Sequence, residues 1–368
     1  MDATHSRMAG SEPARYLVVG TGWRAGLFTR LARAFPDRLC TTGLVARNSS
    51  RRAEAEGFFG LPAFTSLTDA VQTTKPDFVV AAVPWAVAPA VIESAVELGV
   101  PILCETPPAP DLEGLNELWS RVGTSGLVQV AEQYPFYPGH AARRRLVERG
   151  LIGEATSVQI SSTHGYHAIA LIRSMLGLRF ENAQVSAFRT ESGLAQPSTR
   201  SGWTGDLAMQ PTATVIAHLD FGSGRSALYD FTDNQWHNPL RTNRILIRGG
   251  LGELVDDRLV RMRDEVTVVE SPLTRRQSGI DMNLDGFDLE HIEFEGEAVY
   301  RNAWRGGRLA DDEIAAASLL EGMKVWLRGE GPEPYTLAAG CQDHMLSLAI
   351  DESIETQRTV STHSGPWA

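Results

Sequence analysis

Cysteine is scarce in this sequence. The three present, Cys40, Cys104 and Cys341, are too few and too scattered for a disulfide framework or a zinc cage, and they point to a reducing cytoplasm. Long hydrophobic runs are also missing. The longest uncharged apolar stretch, Phe78 to Ile92, falls short of the ~18–20 residues of a membrane helix and contains Pro84 and Pro89. No membrane span is expected. Residues 1–15 lack the apolar centre of a signal peptide and read as a short disordered tail. Positive charge is not in excess: 34 Lys plus Arg against 45 Asp plus Glu gives −11. That balance excludes a mainly electrostatic grip on nucleic acid or an anionic membrane. There is no repeat and no low-complexity segment. What is present is ordinary globular material, 43% apolar and 21% charged, long enough at 368 residues for about two domains.

The first third alternates buried strands with helices. Tyr16-Leu-Val-Val19 is an apolar run ending at Gly20, and Trp23 to Phe35 has a helical pattern that stops before Pro36. Thr42 to Ala46, Asp77 to Val83, Pro101 to Glu105 and Leu127 to Ala131 read as further strands, with helices over 50–59, 67–72, 87–98 and 112–122 between them. Such alternation predicts an α/β Rossmann domain with a parallel sheet over 16–133. Beyond it the character changes. Helices are expected at 140–149 and 166–176. Short alternating runs between Gly and Asp then predict an α+β domain, 134–368, with an open, mainly antiparallel sheet. Amphipathic helices at 311–329 and 337–355 close the chain.

Three segments carry chemistry. Gly20-Thr-Gly22-Trp23-Arg24-Ala25 is a GxGxxA turn between strand and helix. Gly20 allows the tight turn, Gly22 lets backbone approach a pyrophosphate, Ala25 permits close packing, and the helix N-terminus favours negative charge. At the end of the second strand, where a carboxylate usually takes the ribose hydroxyls of NAD, stands Ala46-Arg47-Asn48-Ser49-Ser50-Arg51-Arg52. Arginine attracts a 2′-phosphate that a carboxylate would repel, so NADP(H) is favoured over NAD(H). Val83-Pro84-Trp85 and Cys104-Glu105-Thr106-Pro107 follow strands, at the edge where open α/β sheets bind ligands. Cofactor contacts are therefore expected at Gly20, Gly22, Trp23, Arg24, Ala25, Arg47, Asn48, Val83, Pro84, Trp85, Glu105 and Gln133.

Together these pieces resemble the Gfo/Idh/MocA oxidoreductases, named after glucose–fructose oxidoreductase and inositol dehydrogenase. The resemblance also rests on Gly99-Val-Pro-Ile-Leu-Cys-Glu105-x-Pro107, Gly150-Leu-Ile-Gly153-Glu, Ile172-Arg173-x-x-Leu-Gly177 and the final Glu352-Ser353-x-x-Thr356 with Val360. It spans about residues 15–360. It implies a nicotinamide cofactor, sugar or cyclitol substrates, and homodimers or homotetramers formed through the C-terminal sheet. The chain departs from the family's pattern at two places. The lysine of Glu-Lys-Pro falls on Thr106. The Asp-x-x-x-His motif falls on Thr163-His164-Gly165-Tyr166-His167, which keeps the histidine and loses the aspartate.

Proton transfer then falls to other groups. Histidine titrates near neutral pH, whereas a threonine hydroxyl does not. His167 is the first candidate for acid–base work, with His164, Tyr166 or Tyr134 assisting and Thr106 lining the site. The His-x-x-His spacing suits a metal pair, yet no nearby carboxylate or cysteine completes a set, so no metal is expected. The sequence points to an NAD(P)-dependent oxidoreductase acting on a sugar-, cyclitol- or carbonyl-type small molecule. The alternatives are an imine reductase of the thiazolinyl type, a lyase or glycosidase that oxidises its substrate transiently with retained cofactor, and a non-catalytic cofactor-binding protein.

Overall fold

Strand and helix alternate from the first described residues onward. The computed structural model describes residues 12–368, and most of the expected tail lies outside them. In chain order the elements are β1 (Ala14–Val19), α1 (Trp23–Ala34), β2 (Leu39–Val45), α2 (Ser49–Phe59), β3 (Ala63–Phe64), α3 (Leu67–Thr74), β4 (Phe78–Ala81), α4 (Ala88–Glu97), β5 (Ile102–Cys104), α5 (Leu112–Val122) and β6 (Val128–Val130). The six strands pair in the order β3-β2-β1-β4-β5-β6, every pair parallel. The order turns back at β1, as in a doubly wound Rossmann sheet. β1 starts two residues before the apolar run suggests, because Ala14 and Arg15 pair with Leu39 and Cys40 of β2. Phe78, Val79, Val80 and Ala81 of β4 are all buried, which is why the strand reads as a continuous apolar run.

Gly20 shows what the turn after β1 demands. Its φ is +122°, and a Cβ there would lie 2.2 Å from the Ala82 carbonyl oxygen. Gly20→Ala is expected to lower stability by about 2 kcal/mol or more and to weaken nicotinamide-cofactor binding, as read by thermal melting and fluorescence titration. A melt unchanged from the wild type would refute this.

The later elements are α6 (Pro138–Glu148), β7 (Ala155–Ser161), α7 (Gly165–Leu176), β8 (Gln184–Ala195), β9 (Ser198–Thr199), β10 (Gly202–Trp203), β11 (Met209–Asp220), β12 (Ser226–Thr232), β13 (Arg244–Gly249), β14 (Gly252–Val255), β15 (Arg258–Met262), β16 (Val268–Ser278), β17 (Asp288–Phe294), β18 (Glu297–Arg301), α8 (Asp311–Leu327), α9 (Leu337–Thr356) and β19 (Val360–Ser361). Eleven strands form one sheet, ordered β18-β17-β16-β15-β14-β13-β7-β12-β11-β8-β19. It is antiparallel apart from the β7–β12 pair. α7 is buried along nearly its whole length. It packs on β7 and on α9, and Asp343 of α9 takes hydrogen bonds from Arg173 of α7 and from Tyr335.

The chain divides into two compact units. One holds the described residues up to Glu105 together with Ser125–Ala131 and Ala316–Pro334; the other holds Thr106–Thr124, Glu132–Ala315 and Tyr335–Ala368. A single cut near residue 133 does not describe this. α5 belongs with the second unit, where Trp119 packs edge-on against Trp367, and Glu132 and Gln133 belong there too. Among the described residues no helix is long and apolar enough to cross a membrane.

Candidate active site

The first unit carries the glycine turn expected to bind a phosphate. Gly22 is the N-cap of α1, and no side chain caps that helix. The first amides of the twelve-residue helix are thus not answered by a capping side chain, and a helix N-terminus in that state favours an anion. No atom lies within 4 Å of where a Gly22 Cβ would stand, so the space in front of the turn is open, while Ala25 is fully buried beneath it. This fits a dinucleotide pyrophosphate. Arg24 donates from Nε to Glu105 Oε1 at 2.7 Å, so these two expected cofactor contacts hold each other at the sheet's C-terminal edge. Val83, Pro84 and Trp85 form the turn after β4, and Trp85 is 49% exposed.

At the end of β2, Arg47 and Asn48 are exposed. Asn48 Oδ1 accepts from the amides of Ser50 and Arg51, so its oxygen serves as the N-cap of α2. Arg51 lines a cavity of about 570 Å³ together with Gly22, Trp23, Arg30, Glu54 and Phe58.

The second unit gathers the candidate acid–base residues at the start of α7. His167 Nδ1 lies 2.6 Å from Glu132 Oε2, and Glu132 Oε1 accepts from the Tyr134 amide. Glu132 is 1% exposed and His167 8%. A buried carboxylate costs several kcal/mol unless it is paired, and the imidazole supplies the pair. An ionised carboxylate only accepts, and facing it His167 holds a proton on Nδ1. The sequence shows no carboxylate near the two histidines; the fold brings one from 35 positions upstream. Even so, no three His, Cys, Asp or Glu side chains are arranged to hold a metal among the described residues.

Around this pair stands an aromatic cluster. The Tyr134 ring is 4.5 Å from that of His167, as is the Tyr166 ring, and Trp236 is 4.7 Å from His164. Burial, with the His167 charge adding to it, drives the His164 pKa down to about 3, so His164 is neutral and poorly suited to proton transfer near pH 7. Burial raises the pKa of Tyr134. Ser162 Oγ and His164 Nδ1 are buried with no hydrogen-bond partner among the described residues. Such atoms cost about 1–3 kcal/mol each unless a ligand or water answers them. Ser162, Tyr134, Tyr137 and Trp236 line a cavity of about 580 Å³.

Thr106 is half-buried and opens the second unit directly after Glu105. Lysine occurs only at 75 and 324 in the whole sequence. Lys75 ends α3 and Lys324 lies on α8, both within the first unit, so the second unit contains no lysine.

Comparison with known proteins agrees with the first unit's geometry. Residues 14–133 match the model of the Gfo/Idh/MocA oxidoreductase family, NAD-binding Rossmann fold. Those residues are similar to that family's Rossmann fold. Inositol 2-dehydrogenase of Corynebacterium glutamicum is 38% identical over 105 residues, 28% of this chain and 31% of the relative. The match thus spans about a third of that relative's length. Solved structures extend the likeness in fold over nearly the whole chain. Levoglucosan dehydrogenase, in complex with NADH and levoglucosan, has a TM-score of 0.68 at 18% identity, covering 96% of this chain and 100% of its own. The WlbA dehydrogenase from Bordetella pertussis, in complex with NADH and UDP-GlcNAcA, has a TM-score of 0.64 at 16% identity, covering 96% and 99%.

The expected cofactor residues, apart from Gln133, therefore lie in the Rossmann unit, and Gln133 is buried in the other. His164, Tyr166, His167 and Tyr134 come together as one cluster. Glu132 is the member that sequence reading misses. Its only sequence signal is its position two residues after the last parallel strand.

Proposed function

We propose that the protein is an NAD(P)-dependent oxidoreductase acting on a sugar-, cyclitol- or carbonyl-type small molecule. The buried Glu132–His167 pair carries this reading, because hydride transfer at an alcohol or carbonyl carbon needs a partner that takes or gives the oxygen's proton. A bound nicotinamide supplies or accepts the hydride. His167 Nε2 accepts the hydroxyl proton in oxidation and returns it to the carbonyl oxygen in reduction. Glu132 holds Nδ1–H and stabilises the imidazolium that forms, as a buried carboxylate does behind a catalytic histidine. With no lysine in the second unit, and with Thr106 at the family's lysine position, His167 performs the proton step. His164 stays neutral and positions substrate, alongside Tyr134 and Tyr166.

Gly20, Gly22 and Ala25 shape the pyrophosphate turn, with Trp23, Arg24 and Glu105 around it. We assign NADP(H) as the preferred cofactor on Arg47, Arg51 and Arg52, which stand where NAD enzymes place a carboxylate. Glu54 lines the same cavity as Arg51, so the preference depends on the arginines outweighing it. Arg51→Ala is expected to weaken NADPH binding about tenfold and to leave NADH nearly unchanged in fluorescence titrations. Tighter binding of NADH than NADPH by the wild type would overturn the assignment.

The three free cysteines suit the cytoplasm. Phe188, Ile216 and Leu228 are exposed on neighbouring strands of the large sheet, a face suited to a homodimer or homotetramer. The oxidoreductase reading is tested by a turnover screen of cyclic polyols, aldoses and their oxidised forms with both cofactors. Cofactor binding without turnover of any of them would remove it.

A further inference from the structure

We propose that the pocket lined by Tyr134, Tyr137, Ser162 and Trp236, whose Tyr134 ring lies 4.5 Å from that of His167, selects an uncharged polyhydroxylated ring and rejects its acidic counterparts. The proposal builds on the oxidoreductase reading and names the substrate class of the same site. Every residue involved belongs to the second unit.

One wall is aromatic. The Tyr134 and Tyr137 rings stack at 4.7 Å and 10°, and Trp236 beside them is 42% exposed. Rings of this kind take the C–H face of a cyclic polyol. Ser162, 7% exposed, lines the same pocket, and its Oγ has no partner among the described residues. A ligand hydroxyl satisfies it in either direction, since each hydroxyl both donates and accepts.

The charged rim decides between neutral and acidic ligands. Two arginines line the pocket, and both already hold carboxylates. Arg143 donates from Nη2 to Asp257 Oδ1 at 2.8 Å and from Nε to the Asp256 carbonyl at 2.7 Å. Arg275 grips both oxygens of Asp311 at 2.7 and 3.0 Å. Asp256 lines the pocket as well, with Oδ1 accepting from the Ile245 amide. His140 adds no positive charge, because burial next to Arg143 drives its pKa down to about 3. Three aspartates thus face two arginines. A carboxylate or phosphate on the ligand would have to displace an aspartate and meet the others. A hydroxyl can donate to the aspartate and accept from the arginine of one pair without breaking it. At about 580 Å³ the pocket is of ordinary size for a small-molecule ligand.

The test is calorimetric titration of the full chain with NADPH added, so that an alcohol binds without turning over. The neutral probes are myo-inositol, levoglucosan and methyl glucoside; the anionic ones are glucuronate, glucose 6-phosphate and UDP-glucose. At least one neutral ring is expected to bind tenfold or more tightly than every anionic probe. Asp257→Asn, which frees Arg143, is expected to narrow that gap at least fivefold. An anionic probe that binds the wild type as tightly as the best neutral one overturns the proposal. So does a gap that Asp257→Asn leaves unchanged. NADPH binding with no ring bound overturns it too and leaves the oxidoreductase reading standing. Rings bound by a protein that never takes up either cofactor would leave the pocket assignment standing and remove the oxidoreductase reading.

Discussion

Replacement of His167 by alanine is expected to lower kcat by about 10²–10⁴-fold, the usual contribution of a positioned acid–base group, with cofactor affinity unchanged. Alanine also removes the imidazole from Glu132, which keeps the Tyr134 amide. Breaking one side of a buried ion pair costs up to about 3–5 kcal/mol, so the alanine variant is expected to melt at a lower temperature as well. His167→Asn separates the two effects. Its amide can still donate to Glu132 Oε2 but cannot carry a proton at neutral pH. The expected result for His167→Asn is the same fall in kcat at near wild-type melting temperature. Near-normal turnover in the asparagine variant would remove His167 from the proton step.

Glu132→Gln carries the second large effect. Glutamine keeps the shape, but it has one acceptor oxygen where Glu132 uses two, and it lacks the charge that stabilises an imidazolium. Turnover is expected to fall by about 10²-fold, chiefly in kcat and little in KM, since the interaction strengthens only as the proton moves. The double variant is the sharper measurement. If Glu132 acts through His167, Glu132→Gln combined with His167→Asn should be no slower than His167→Asn alone, because residues that act as a unit are not additive. Losses that multiply would mean that Glu132 has a separate role, and the positioning assignment would fall.

What could be read without coordinates was local. The turn at Gly20, Gly22 and Ala25 needs only a strand, two glycines and a helix start, all within twelve residues of chain. The His164–His167 spacing needs only one helical turn. Burial on both faces made β4 and β1 legible as apolar runs. The long strands of the second unit were harder. β11 reads as Thr214 to Leu219 yet runs from Met209 to Asp220, because one face of the sheet is open and its polar residues break the apolar pattern. The alternating run Val266 to Val269 marks only the start of β16. Pro272 marks the point where the strand leaves β15, and from Leu273 it pairs with β17 through an Arg-Arg-Gln run that resembles a loop. Glu132 and His167 sit 35 positions apart on elements of different kinds, and no period links them. Nor did composition reveal that the two arginines lining the pocket are already paired with aspartates, since pairing between distant elements is a property of the fold.

The distribution of lysine has a chemical consequence. Side-chain amines exist only at Lys75 and Lys324, and both lie in the first unit. An amine-reactive dye or resin therefore couples to the Rossmann unit through side chains at two sites, and the unit holding the histidine cluster offers no side-chain amine. The protein comes from its own sequence as a selectively taggable pair, in which one unit can be labelled or tethered while the other keeps unmodified side chains.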